Sequence, residues 1–338
     1  MPDQSDLLAA KKSMSNRFLK RASPIPFTTF GLVGHTKPVQ NVVGVGVGTK
    51  FSGGKETTTK CVRFYVEHKI PKSALSTKDQ LPSEVEGLPT DVIATGKFRK
   101  LSTASDNKKR HRPERPGTSI GFKIPPPNDN FVMAGTFGAV VSKSGNRFIL
   151  SNNHVLAENG VVALGAAIFQ PGLLDGGNEA TDQVASLTTF IQIKPAGFNK
   201  VDCAIAQLLA ATPANPSLMP RVGALASANP VTAAVGMLVE KTGRTTGYTR
   251  GKVFDIASDV NVDYEDKDGN TFTATFADQM LIVGAPGMFS DRGDSGSLIV
   301  ERSSKLATGL LFAGSRSHTI ANHIADVLAA LGVTLVMA

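Results

Sequence analysis

The sequence predicts a mostly β protein, an antiparallel barrel or sandwich that ends in one helix. Aromatic residues make up only 6% of the 338 residues, while glycine (33) and proline (19) are frequent. The apolar runs are short and are separated by turn residues, as is typical of many short strands. Only Asn322–Leu331 has a clear helical period, because Ile324, Val327, Leu328 and Leu331 fall on one face. We therefore expect short strands throughout and a C-terminal helix.

The composition excludes several classes of protein. A content of 41% hydrophobic and 19% charged residues is typical of a globular chain rather than a disordered one. The apolar runs Val161–Phe169 and Val327–Ala338 fall short of the roughly 20 residues that cross a membrane. The N-terminal segment lacks the apolar stretch of a secretory signal, and the chain has only Cys61 and Cys203. We therefore expect a cytoplasmic protein without a disulfide framework.

The first 96 residues are predicted to form two parts. Residues 1–36 are interpreted as a polar, partly helical arm, and residues 37–96 as a small α+β domain. In that domain, Asn41–Thr49 and Lys60–Glu67 have the β-branched and aromatic residues of strands, and Ser52–Lys55 is typical of a turn. We expect these segments to form a hairpin, with Leu88–Ala94 as a further strand.

Residues 97–117 are predicted to be a basic, Pro/Ser-rich linker. They hold eight Lys/Arg against Asp106 and Glu114, which places six of the eight net positive charges in this segment. Such a run is usually a solvated connection. The alternative is a nucleic-acid or acidic-surface contact through Lys97–Arg115. The segment shows no aromatic–basic pattern and no zinc-finger spacing, which disfavours that alternative.

Three later segments carry the residue types that a serine nucleophile needs. Phe148–Ala157 is an apolar strand that leads His154 into an Asn/His turn, and Asp202 immediately precedes another apolar strand. Ser295 lies in a Gly-Asp-Ser-Gly turn, and the three residues are separated by 48 and 93 positions. A serine hydroxyl becomes nucleophilic when a base takes its proton, and a carboxylate orients that base. Asp182 and Asp278 are weaker candidates for the orienting carboxylate.

These segments, in the order His, Asp, Ser, resemble the signature blocks of the chymotrypsin-fold (trypsin-like) serine peptidases. The order differs from those of subtilisins and α/β-hydrolases. The resemblance implies two antiparallel six-stranded β-barrels, 118–235 with His154 and Asp202, and 236–338 with Ser295 and the C-terminal helix. It also implies a catalytic triad of His154, Asp202 and Ser295. Backbone N–H groups of Gly293 and Ser295 are then expected to form the oxyanion hole.

Further segments are similar to a bacterial trypsin-like subgroup related to the plant NARROW LEAF 1 proteins. They include SIGF (119–122), FQPGLLDGG (169–177), GRTTGYTRGKV (243–253) and GLLFAGS (309–315). The stretch that begins GVGVGTKFSGG is similar to the small domain preceding the peptidase in those chains. The resemblance therefore covers most of the sequence after residue 36, apart from the linker.

The chain departs from the digestive members of the family at Asp294. In those members a newly cleaved N-terminus pairs with the acid before the serine, and this sequence has no evident activation junction. Another group must therefore satisfy Asp294, and processing near Ile120–Gly121 is one hypothesis. The resemblance also suggests substrate-pocket residues, with Phe289 at the base favouring a small or apolar side chain: Phe289, Arg292, Phe312, Gly314 and His318.

The sequence thus predicts a cytoplasmic serine endopeptidase that acts on protein or peptide substrates without a cofactor or metal. Asp263–Asn270 lacks the ligands of a calcium loop and is interpreted as a hairpin turn. A regulatory protein or a second copy of the chain is the partner expected for residues 37–96, and no membrane is expected. The alternative functions are a catalytically silent, peptide-binding peptidase fold and a nucleic-acid-associated protein.

Overall fold

The computed structural model describes residues 3–19, 41–53, 55–96, 98, 106–124, 131–216, 221–265, 270–315 and 317–337. Residues 20–36 of the predicted arm, most of 97–105 in the predicted linker, and 266–269 of the predicted hairpin turn lie outside the described residues. The protein is mostly β, which confirms the predicted class. Among the described residues, no helix is long and apolar enough to cross a membrane.

The N-terminal unit consists of one helix packed on a small group of strands. Its elements are α1 (Gln4–Phe18), β1 (Val42–Ser52), β2 (Lys55–Val66), β3 (Glu84–Val85) and β4 (Leu88–Ala94). Asp3 caps α1 by accepting a hydrogen bond from the Ser5 amide. Leu7, Ala10 and Met14 recur at helical spacing and pack onto the apolar residues of β1 and β2. As predicted, β1 and β2 form an antiparallel hairpin.

The next part of the chain forms a six-stranded sheet. The elements of this part of the chain are β5 (Ser119–Ile120), β6 (Gly135–Thr136), β7 (Ala139–Lys143), β8 (Asn146–Ser151), α2 (Asn153–Leu156), β9 (Ala167–Phe169), β10 (Gln183–Phe190), β11 (Phe198–Asn199) and β12 (Ala204–Leu208). Strands β5 and β6 form a separate two-stranded sheet, and β11 belongs to the second large sheet. The sheet order is β7-β8-β12-β10-β9, with a short C-terminal strand added beside β7. Alternate residues of β8 enter different hydrophobic cores. Phe148 and Leu150 pack in one core, and Ile149 packs in the other. The sheet is therefore buried on both faces.

The C-terminal part supplies most of a second sheet. Its elements are β13 (Leu238–Gly243), β14 (Gly247–Glu265), β15 (Thr271–Gly284), β16 (Leu298–Glu301), β17 (Ala307–Gly314), β18 (Thr319–His323), α3 (Ile324–Leu331) and β19 (Thr334–Leu335). The sheet has eleven strands in the order β11-β15-β18-β17-β16-β13-β14-β1-β2-β4-β3, and β15 also pairs with β14. Strands β13 to β18 therefore form a cyclic series of pairings.

The second set of six strands differs from the separate barrel that the sequence predicts. Strand β1 of the N-terminal unit pairs with β14, with Gly44 opposite Val260 and Val45 opposite Asp259. A side chain at Gly44 would press on the Asp259 carbonyl, since a Cβ there would lie 3.0 Å from that oxygen. The N-terminal unit is thus continuous with the sheet that carries the second set of strands.

The predicted C-terminal helix is confirmed. Helix α3 buries Ile324, Val327, Leu328 and Leu331, the four residues that the periodicity selects. They pack into the core that also contains residues of β7, β8, β16 and β17, so α3 closes the space between the two sheets. Gly332 ends the helix in a left-handed conformation, φ 64°.

The described part of the basic segment, 106–117, packs on the protein instead of forming a solvated linker. Arg110 pairs with Asp182 at 2.7 Å, and Arg112 pairs with the buried Glu114 at 2.8 Å. Lys108 lies 3.7 Å from Asp175. These carboxylates neutralise much of the local positive charge, which the linear sequence could not indicate because the acids at 175 and 182 lie far along the chain.

Candidate active site

Two adjacent strands bring His154 and Asp202 together. Strand β8 ends at Ser151 and leads into α2, which carries His154, while Asp202 lies two residues before the first residue of β12. Strands β8 and β12 pair antiparallel, with Ser151 opposite Ala204. Both side chains are buried, His154 with 3% and Asp202 with 0% of its surface exposed. Because the end of β8 is paired with the start of β12, the residues just beyond these ends, His154 and Asp202, lie close together.

The Asp202 carboxylate is bonded through both of its oxygens. Oδ2 lies 2.5 Å from Nδ1 of His154, and because a carboxylate only accepts, Nδ1 carries the proton. Oδ1 accepts from the backbone amides of Asn153 at 2.7 Å and His154 at 3.3 Å. In the neutral ring this arrangement places the proton on Nδ1 and leaves Nε2 free to accept one, as a general base requires.

A tyrosine that the sequence did not identify also contacts Asp202. The Tyr264 hydroxyl donates to Oδ2 of Asp202 at 3.0 Å. Burial, followed by the charge of Asp202, raises the pKa of Tyr264 well above 10. The sequence predicts a hairpin turn at Asp263–Asn270, whereas β14 extends through Tyr264 to Glu265. Nothing in the local pattern could indicate a contact with a residue 62 positions away.

Ser295 lies in a tight turn that is bonded to the strand leading to His154. The Ser295 carbonyl accepts from the Thr136 amide at 2.8 Å, and the Thr136 carbonyl accepts from the Ser151 hydroxyl at 2.8 Å. Oγ of Ser295 donates to the Phe312 carbonyl at 3.3 Å, and within the described ranges no hydrogen bond joins it to His154. Serine–histidine contacts are often long without substrate and shorten when it binds.

The turn before Ser295 presents two backbone amides. Gly293 has φ +92°, and a Cβ there would overlap the guanidinium of Arg244, so only glycine fits. The amides of Asp294, Gly296 and Ser297 all donate to backbone carbonyls. For the amides of Gly293 and Ser295, no acceptor is found in the described part of the chain. These are the two N–H groups that the sequence analysis assigned to an oxyanion hole.

Lys241 is the cationic partner of the buried Asp294 carboxylate. Its Nζ lies 3.0 Å from Oδ2 of Asp294, and neither side chain is exposed. Burial lowers the pKa of Lys241, while the charge of Asp294 acts in the opposite direction. Asp294 also accepts from the amides of Thr245 at 2.9 Å and Thr246 at 3.1 Å. Asp294 therefore has a cationic partner within the chain, and processing near Ile120 is not needed to supply one.

A buried ion pair holds Arg244 over the same turn. The guanidinium of Arg244 bonds both oxygens of Asp175, at 2.5 and 2.7 Å. Ser119 also donates to Asp175, at 2.6 Å. The Thr136 hydroxyl accepts from the Arg244 amide and donates to the Gly293 carbonyl at 2.9 Å. The segments 119–122, 169–177 and 243–253, which the sequence marks only by a family resemblance, therefore help to hold the Gly293 peptide in its conformation.

The predicted pocket residues lie in several different packing environments. Phe289 packs in the core with residues of β13 to β18, and Phe312 packs on Phe276 in a different core, with ring centroids 4.7 Å apart. Gly314 pairs with Thr319 at the end of β17, and Arg292 is exposed. Both phenylalanines are buried core residues, Phe312 within β17 and Phe289 in the loop between β15 and β16.

His318 is buried beside the N-terminal unit. Its ring meets the edge of Phe254, with centroids 5.2 Å apart, and its Nδ1 lies 2.9 Å from the Ser317 hydroxyl. Arg63 of β2 covers Phe254, with its guanidinium 4.2 Å from the ring centre. Burial, and secondarily the charge of Arg63, lowers the pKa of His318 to about 4.

We expect His318 to make the folded protein less stable in acid. Its pKa falls from 6.5 to about 4 on folding, so the unfolded chain binds more protons between these values. Stability is therefore full above pH 6.5 and falls as the pH drops towards 4. Urea unfolding at pH 7 and pH 4.5 measures how much free energy of unfolding is lost in acid. We expect this loss to be roughly 2–3 kcal/mol smaller in His318→Gln than in wild type. An equal loss in the variant would show that His318 is not responsible.

Comparisons with known proteins give one family match and several structural ones. Residues 188–320 match the family model of the Nal1 C-terminal domain, a range that contains Asp202 and Ser295 but not His154. No curated protein matches the chain.

Three solved serine proteases illustrate the structural similarity. Thermobifida fusca protease A is 16% identical, with 66% of this chain and 98% of that chain covered and a TM-score of 0.45. A Cellulomonas bogoriensis chymotrypsin has the same identity and coverages and a TM-score of 0.42. A glutamic acid-specific serine protease is 17% identical, with 66% and 100% covered and a TM-score of 0.43.

Proposed function

We propose that the protein is a serine endopeptidase that hydrolyses peptide bonds through Ser295, His154 and Asp202. The observation that carries the proposal is the buried bond of 2.5 Å between Asp202 and Nδ1 of His154. This bond fixes the tautomer in which Nε2 can accept a proton. A catalytically silent binding module would have no need of it.

The chemistry follows from these groups. Oγ of Ser295 attacks the substrate carbonyl carbon while its proton passes to Nε2 of His154. The carbonyl oxygen becomes an oxyanion that accepts from the amides of Gly293 and Ser295, and each such donor is worth roughly 3–4 kcal/mol. His154 then protonates the leaving amine, which leaves an acyl-enzyme. Water attacks this ester by the same route, giving its proton to His154 and releasing Ser295.

We further propose that the enzyme acts in the cytoplasm on a protein or peptide substrate and needs no cofactor. Its catalytic unit is proposed to consist of two barrels. The N-terminal unit is the surface proposed for a regulatory partner or a second copy. A nucleic-acid role is less favoured, because Arg110 and Arg112 are already paired with carboxylates.

A fluorophosphonate probe tests the proposal without a known substrate. We expect the wild type to gain one phosphonyl group on Ser295, with loss of fluoride, as measured by intact-mass and peptide mass spectrometry. Ser295→Ala and His154→Ala should not react. Ser303→Ala, which removes a serine bonded to the Glu301 carboxylate, should react like the wild type.

Two outcomes separate this function from its alternatives. Folded wild-type protein that never reacts would contradict the assignment of Ser295 as a nucleophile. If it reacts, mapping of new protein N-termini after expression of wild type and of Ser295→Ala distinguishes peptide-bond hydrolysis from hydrolysis of other acyl groups.

A further inference from the structure

We propose that Tyr264 is a positioning residue that holds the Asp202 carboxylate in the orientation that bonds His154. The proposal rests on the proposed triad but concerns a residue outside it. The Tyr264 hydroxyl and Nδ1 of His154 converge on the same oxygen, Oδ2, at 3.0 and 2.5 Å.

The other donors to Asp202 come from a single short segment. Oδ1 accepts from the amides of Asn153 and His154, and Oδ2 accepts from the His154 ring. Tyr264 is the donor that comes from the eleven-stranded sheet. It therefore ties the carboxylate to a sheet other than the one that carries the histidine segment, and without it Oδ2 retains a single donor among the described residues.

The tyrosine is itself held rigidly. Tyr264 lies opposite Phe272 in the β14–β15 pair, and their rings stack at 5.4 Å with an interplanar angle of 15°. The Tyr264 ring also meets the His154 ring edge-on, with centroids 6.0 Å apart. Because its pKa lies well above 10, the hydroxyl remains a donor at neutral pH. A buried, stacked and protonated tyrosine can orient a carboxylate with little loss of entropy on each catalytic cycle.

The chain offers a matched control for this contact. Tyr65 is also fully buried, and its hydroxyl also donates to a buried carboxylate, that of Asp255, at 2.5 Å. Burial likewise raises the pKa of Tyr65 well above 10. Tyr65→Phe removes a bond of the same kind from a place that does not touch Asp202, so it reports the general cost of losing such a bond.

The experiment compares Tyr264→Phe with Tyr65→Phe by two readouts. The first is the low-field proton NMR signal of the His154 Nδ1–H group, which reports its short bond to Asp202. We expect this signal to shift or broaden in Tyr264→Phe and to stay unchanged in Tyr65→Phe. The second is fluorophosphonate labelling of Ser295. We expect the maximal rate to fall about 10- to 100-fold in Tyr264→Phe, with unchanged probe affinity, and Tyr65→Phe to match wild type.

The two readouts separate this proposal from the proposed function. An NMR signal and a labelling rate that are both unchanged in Tyr264→Phe would overturn the positioning role, as would equal changes in Tyr65→Phe. A changed NMR signal in a protein that is never labelled would support the positioning role and contradict the catalytic one. Phenylalanine retains the stacked ring, and urea unfolding of both variants checks that each is folded.

Discussion

Replacing Asp202 with asparagine is expected to slow the labelling of Ser295 by about 10⁴-fold near neutral pH. The asparagine oxygen can still accept from the amides of Asn153 and His154, which bond Oδ1 in the wild type. The amide nitrogen then faces Nδ1 of His154 and donates to it. The ring proton must move to Nε2, so that nitrogen can no longer accept the proton of Ser295.

The matched control for this variant is Asp255→Asn. Asp255 is likewise unexposed and likewise accepts from a tyrosine hydroxyl and a backbone amide, those of Tyr65 and Ala257. We expect Asp255→Asn to change the stability but to leave the labelling rate close to that of wild type. Comparable losses of rate in both variants would mean that Asp202 has no special relation to Ser295.

Replacing Lys241 with methionine is expected to destabilise the fold by about 3–5 kcal/mol. The change leaves the carboxylate of Asp294 buried without its cation, since both members of the pair have no exposed surface. It should also slow the labelling of Ser295, because Asp294 lies between the two peptides whose amides are proposed to bind the oxyanion. Urea unfolding and the fluorophosphonate rate measure the two effects separately.

Lys11→Met separates the loss of an ion pair from damage to the site. Lys11 is 3% exposed and bonds Asp259 at 2.8 Å and Asp278 at 2.7 Å. Its loss should lower the free energy of unfolding without a matching loss of the labelling rate in the folded protein. If Lys241→Met is as stable as wild type, the pair with Asp294 is not what holds the turn.

Local sequence patterns were sufficient to predict helix α3 and the strands that lead to His154 and Asp202. The 3.6-residue period identified the buried face of α3, and apolar strands followed by polar turns identified His154 and Asp202. The proximity of these two side chains also follows from the observed pairing of β8 with β12. Local patterns are informative here because each depends on residues within a few positions of one another.

The residues that local patterns missed all act over long separations in the chain. Tyr264 bonds a residue 62 positions away, and Arg244 bonds Asp175 across 69 positions. Lys241 lies only two residues before the GRTTG motif, but its partner Asp294 is 53 positions away. A single sequence does not indicate which of these distant residues will be bonded to one another. The same reason explains why the basic segment 106–117 was expected to be solvated although its partners are Asp175 and Asp182.

The junction of β1 with β14 has a consequence for aggregation. Strand β13 pairs with β14 only as far as Lys252, whereas β14 continues to Glu265 and meets β1 at Asp259 and Val260. Without β1, this stretch would offer unpaired backbone groups beside apolar side chains, a template on which foreign strands can add. The N-terminal hairpin therefore covers an edge of β14 to which strands of other molecules could otherwise add.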